Sequence, residues 1–106
     1  MKINEGVFDL KKYEGFYIVR TNSAGVFAGE IKERNGQEVV MTNAIRLWYW
    51  AGAASLSQLA MEGTKSPGSC KFTVPVDEVE LLQVIEIIKC SREVESNIKG
   101  VKIWKN

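Results

Sequence analysis

Residues 16–50, FYIVRTNSAGVFAGEIKERNGQEVVMTNAIRLWYW, decide the fold. Aromatic and β-branched residues fill 16–21, as strands favour. Asn22-Ser23-Ala24-Gly25 follows as a turn, because Asn and Gly tolerate positive φ and Ser bonds nearby backbone. A second strand is predicted over 26–34. Asn35-Gly36 after it is the strongest hairpin signal in the chain. A third strand returns over 38–42, Asn43 breaks the run, and 45–50 makes a fourth. These four strands predict an antiparallel meander.

Downstream, the character changes. Residues 51–61 (AGAASLSQLAM) are rich in Ala, Leu and Gln and read as a helix stopped by Gly63. Leu56, Leu59 and Ala60 share its sheet-facing side. Residues 64–69, with Ser-Pro-Gly, form a loop, and 71–74 a short strand ended by Pro75. Residues 79–88 fit helix nearly as well as strand; the weight of Val, Ile and Leu favours strand. Ser91 is expected to cap a short helix with an acidic first turn, Gly100 to stop it, and 101–104 to form an edge strand. Residues 8–13 make a short helical or irregular lead-in. The fold class is α+β: an antiparallel meander with two short helices, in one domain spanning 1–106.

Composition narrows the chemistry. The 106 residues carry 14 Lys+Arg against 13 Asp+Glu, no His and two Cys. Without His there is no Ser-His or Cys-His nucleophile, imidazole base or His metal site. No carboxylate pair is spaced for acid/base work, and no CxxC suggests zinc. No catalytic residue, metal or cofactor is therefore expected. Cys70 and Cys90 read as buried thiols of a reducing compartment. The start lacks a signal peptide's basic head and apolar run, and no stretch reaches 18 apolar residues. A cytoplasmic protein, free of membrane, is expected. A net charge of +1 disfavours nucleic acid as a partner, and Lys99, Lys102 and Lys105 around Trp104 read as an edge guard.

The candidate binding residues cluster in two places. In Arg46-Leu47-Trp48-Tyr49-Trp50, alternation puts Arg46, Trp48 and Trp50 on one face and Ile45, Leu47 and Tyr49 on the other. This block fits a covered central strand, a platform stacking a flat base with Arg46 on phosphate, or an interface centre. The following 51–55 segment offers small residues and helix-start N–H groups to an anion, or simply tight packing. It is no phosphate loop, lacking GxxxxGK[ST]. The second place is the 21–25 turn, with Arg20 and Phe27 at its flanks. It reads equally as a solvated hairpin loop. Gly29 on the second strand marks a bulge or a close backbone approach.

The strings YIVRTNSAGVFAG (17–29) and RLWYWAGAASLSQLA (46–60) resemble a small phage and prophage family known as a domain of unknown function. The similarity continues through Gly63, Cys70 to Phe72, Val84 to Ile88 and Trp104. It implies a small cytoplasmic protein of a phage-infected bacterium, and brings no established active site. Phage proteins of this size include sponges, such as Sequestin and Lockin, which trap nucleotide immune signals of the Thoeris and CBASS systems. Placing the chain among them goes beyond the family match. A non-enzymatic binder is then expected: Trp48 or Trp50 stacking a base, Arg20 and Arg46 on phosphate, and Asn22, Ser23 and Ser55 bonding sugar or phosphate oxygens. Phe27 and Tyr49 complete the expected ligand-binding set. The alternative is a protein–protein adaptor using the same aromatic face. A homo-oligomer is expected, to cover the apolar residues on both faces of 79–88.

Overall fold

The computed structural model describes residues 13–106. Apart from Tyr13, the 8–13 lead-in lies outside the described residues. The elements are β1 (Tyr17–Thr21), β2 (Val26–Asn35), β3 (Glu38–Tyr49), α1 (Leu56–Glu62), β4 (Lys71–Phe72), β5 (Val76–Leu81), β6 (Val84–Lys89) and α2 (Val94–Lys99). The strands build one antiparallel sheet in the order β4-β3-β2-β1-β6, with β5 also on β3. The α+β class follows, and β1–β2–β3 is the predicted meander.

The third and fourth expected strands are one. Asn43 does not break β3; it bulges it, at φ 49°. Glu30 pairs with Thr42 and Ala28 with Ile45, so Asn43 and Ala44 together face Gly29. An extra residue reverses the side-chain alternation beyond it. Val39 and Met41 therefore point to one core cluster, while Ile45 and Leu47 point to another. Gly29 makes this possible. A Cβ there would stand 3.0 Å from both the Ala44 Cα and the Thr42 carbonyl oxygen.

The two clusters lie on opposite faces of the sheet. Phe16, Ile18, Ala28, Ile45, Leu47 and Phe72 meet Leu59 and Ala60 of α1 and Val94 and Ile98 of α2. Tyr17, Val19, Phe27, Ile31, Val39, Met41, Leu81 and Val84 form the second cluster. Among the described residues no helix covers this face. The sheet covers it by curling on itself, since β5 pairs with β3 and β6 with β1 although only Leu82 and Gln83 join them. The Val84 N–H donates to the Gln37 carbonyl at 3.0 Å, and the Asn22 N–H to the Gln83 carbonyl at 2.9 Å. Hairpin tip, β1–β2 turn and β5–β6 connection thus meet at one seam. Residues 79–88 are consequently two strands rather than one: Leu81 and Val84 are buried within the chain, while Leu82 and Ile85 stay exposed.

Four further expectations change. The first helix starts at Leu56, not Ala51, because Gly52 takes φ 81° and Ser55 caps the helix by accepting from the Gln58 N–H. Ser91 does not cap α2: its hydroxyl donates to the Met61 carbonyl at 2.8 Å, tying the helices together. Asn97 adds to this tie, accepting from the Thr64 N–H at 2.8 Å and donating to the Thr64 carbonyl at 3.1 Å. The strand expected over 71–74 shortens to Lys71–Phe72. The closing edge strand reduces to a single parallel bridge between Phe72 and Ile103.

Candidate functional site

The β1–β2 turn is held by its own first residue. The Thr21 hydroxyl donates to the Gly25 carbonyl at 2.8 Å and accepts from the Ala24 N–H at 2.8 Å, while Gly25 takes φ 96°. Arg46 reaches over from β3. Its Nη1 donates to the Ala24 carbonyl, and its guanidinium carbon lies 4.4 Å from the Phe27 ring centroid. The arginine is therefore fixed between a rigid turn and a buried ring, as preorganised ligand groups require. One of its five N–H donors is used by the turn.

A cleft of about 400 Å³ opens beside this arrangement, lined by Ser23, Ala24, Gly25, Val26, Arg46, Leu47, Trp48 and Trp50. Trp48 forms an exposed wall, with 62% of its surface accessible. Its outward direction comes from a second bulge: Leu47 pairs with Phe72 and Tyr49 with Lys71, so Trp48 has no partner opposite it. That bulge overturns the expected alternation. Trp50 packs half-buried on the Ile45 and Leu47 side, and both Trp48 and Tyr49 are exposed.

Of the nine expected ligand residues, the cleft gathers Ser23, Arg46, Trp48 and Trp50, with Phe27 buried behind Arg46. The other four do not line it. Arg20 pairs with Glu86 at 2.9 Å on the surface. Asn22 sits at the β5–β6 seam. Tyr49 faces away, opposite Lys71. Ser55 is occupied as helix cap, with its hydroxyl 3.1 Å from the Gln58 nitrogen. At the helix start, where an anion or tight packing was expected, the Ala54 and Gln58 N–H groups are both bonded to side chains.

Two residues that sequence reasoning assigned elsewhere stand next to Trp48. Trp104 stacks on it, with centroids 6.2 Å apart and planes at 17°. The Lys71 Nζ lies 5.4 Å from the Trp104 ring centroid. Only the tertiary placement of the tail, through the Phe72–Ile103 bridge, brings them together.

A separate cavity of about 310 Å³ lies under α2, with Ile45, Phe72, Ile98, Val101 and Ile103 in its lining and Lys99 at its rim. That lysine is engaged by Glu95 at 2.5 Å. Cys70 and Cys90 are free and buried. Burial pushes the Cys90 thiol up to about 11, with the Glu95 charge adding to it and a hydrogen bond with the Ile18 backbone opposing it. A thiol so protonated is a poor nucleophile. Among the described residues no three His, Cys, Asp or Glu side chains gather as a metal site. No helix described is long and apolar enough to cross a membrane.

Residues 16–98 match a family described as a domain of unknown function, DUF6948. The match takes in all six described strands and nearly all of α2, and stops short of Trp104. No curated protein matches the chain. The chain belongs to the DUF6948 family.

Proposed function

We propose that this DUF6948 member binds a nucleotide-like ligand in the cleft between the β1–β2 turn and Trp48, without transforming it. One observation carries the reading: an exposed indole and a fixed guanidinium share the walls of one cleft. A base stacks on Trp48, the free N–H groups of Arg46 meet phosphate, and the Ser23 hydroxyl meets sugar or phosphate oxygen. Holding and not converting the ligand fits a site whose lining, among the described residues, carries no general acid, base or metal ligand. Its biological role, on the phage resemblance, is to sequester a nucleotide immune signal in the cytoplasm of an infected bacterium.

Calorimetry against cyclic dinucleotides and NAD-derived cyclic nucleotides tests the proposal, with the nucleotide recovered and identified afterwards. Saturable heat with unchanged nucleotide is expected. Flat heats from folded protein across the panel would refute it, and conversion to product would refute its non-enzymatic part. An adaptor docking on a host protein is the second reading, favoured by the exposure of Trp48, Tyr49 and Trp104. Co-purification of a stoichiometric protein, lost in Trp48→Ala, would favour it over the nucleotide.

A further inference from the structure

We propose that the Trp48–Trp104 pair and the lysines around it form a docking face for a single strand of nucleic acid. Trp48 and Trp104 stack on each other yet stay 62% and 46% exposed. An indole open to water offers a π-face to any unpaired base, whatever its sequence. The platform is fixed to the sheet and not to a loose tail. The Trp104 N–H donates to the Phe72 carbonyl at 2.9 Å, and the Trp48 bulge turns its ring outward.

Charge supports a strand over an apolar partner. Lys71, Lys102 and Lys105 are exposed, and among the described residues the ion pairs use Arg20, Lys32, Lys65 and Lys99 instead. Carboxylates gather at the other end of β3. Asp77, Glu78 and Glu80 belong to β5, which pairs with residues 39–44, whereas Lys71 pairs with Tyr49. A chain of net charge +1 thus has one cationic, aromatic end. Lysines on phosphates beside rings on bases are the means by which proteins hold single strands. A duplex keeps its bases stacked inside and gains nothing from the indoles. Trp48 belongs to both sites, whereas Lys71 and Trp104 lie outside the cleft lining, so variants at those two residues separate the strand site from the mononucleotide cleft.

Fluorescence anisotropy of a labelled oligo-dT, with a labelled duplex of equal length alongside, tests this. The single strand should bind more tightly than the duplex. Three phosphate contacts predict a slope of about −2 in log affinity against log salt. Trp104→Ala should weaken binding roughly ten-fold or more, the usual effect of losing a stacked base, and Trp104→Phe should recover most of it. Lys71→Glu should weaken binding and flatten the slope, while Lys32→Glu, remote on β2, should do neither. Mononucleotide heats should persist in Trp104→Phe. No anisotropy change up to about 100 µM protein, the weak limit of non-specific binding, overturns the proposal, as does equal duplex affinity. Concentration-dependent dimerisation abolished by Trp104→Ala would assign the face to a second copy and overturn it as well.

Discussion

Gly29→Ala should cost about 2 kcal/mol, because the bulge opposite it lets one strand feed two cores. An added Cβ would lie 3.0 Å from the Ala44 Cα, 3.0 Å from the Thr42 oxygen and 3.1 Å from the Asn43 oxygen. All three are backbone atoms, so no side chain can rotate away. Relief requires β2 and β3 to separate where Ala28, Ile45 and Ala44 are all buried. Overpacking of this kind costs about 1–3 kcal/mol, and a domain of this size loses about 4–8 °C per kcal/mol. A fall in Tm of roughly 8–16 °C is therefore expected. Gly68→Ala is the control, since a Cβ there meets nothing within 4 Å; it should stay within about 0.5 kcal/mol of the parent. Thermal and urea unfolding followed by circular dichroism measure both. Equal stability of the two variants would refute the account of the bulge.

Phe72→Ala, at a ring 2% exposed between the sheet and the tail, should cost about 3–5 kcal/mol in urea unfolding. Asn97→Ala leaves the Thr64 N–H and carbonyl without their side-chain partner and should cost about 1–3 kcal/mol by the same measurement. Cys90 binds its proton more tightly folded than unfolded, so its contribution is constant below pH 9.0 and is lost as pH rises toward about 11. Unfolding midpoints should fall through that window less in Cys90→Ala than in the parent. Arg46→Ala removes the contact to Ala24 and the cation over Phe27. It should abolish nucleotide heats in calorimetry while lowering stability by only about 1–3 kcal/mol.

Much of the sheet was legible in local chemistry. Asn35-Gly36 dictates its hairpin, and Gly29 announced a bulge or close approach without showing that Asn43 opposes it. Residues 79–88 misled because Leu82 and Gln83 carry no turn signature; the connection is imposed by the seam with Gln37 and Asn22. The helix start misled because Ala favours helix while Gly52, at φ 81°, needs a loop. For the site, Arg46 and Trp48 were identifiable as residue types suited to a flat anion. Their sorting was not, since the Trp48 bulge alters which side chains share a face. Trp104 is far from Trp48 in sequence, and no local pattern announces their stacking.

The most direct test of the nucleotide cleft is a nitrogen–proton correlation spectrum of the chain titrated with the nucleotide panel. Trp48, Trp50 and Trp104 each supply one indole N–H resonance. The cleft predicts saturable shifts of the Trp48 indole and of the Ser23, Ala24 and Gly25 amides, which line it. Shifts gathered instead on Ile45, Phe72 and Val101 around the cavity under α2, or none at saturating nucleotide, would contradict it.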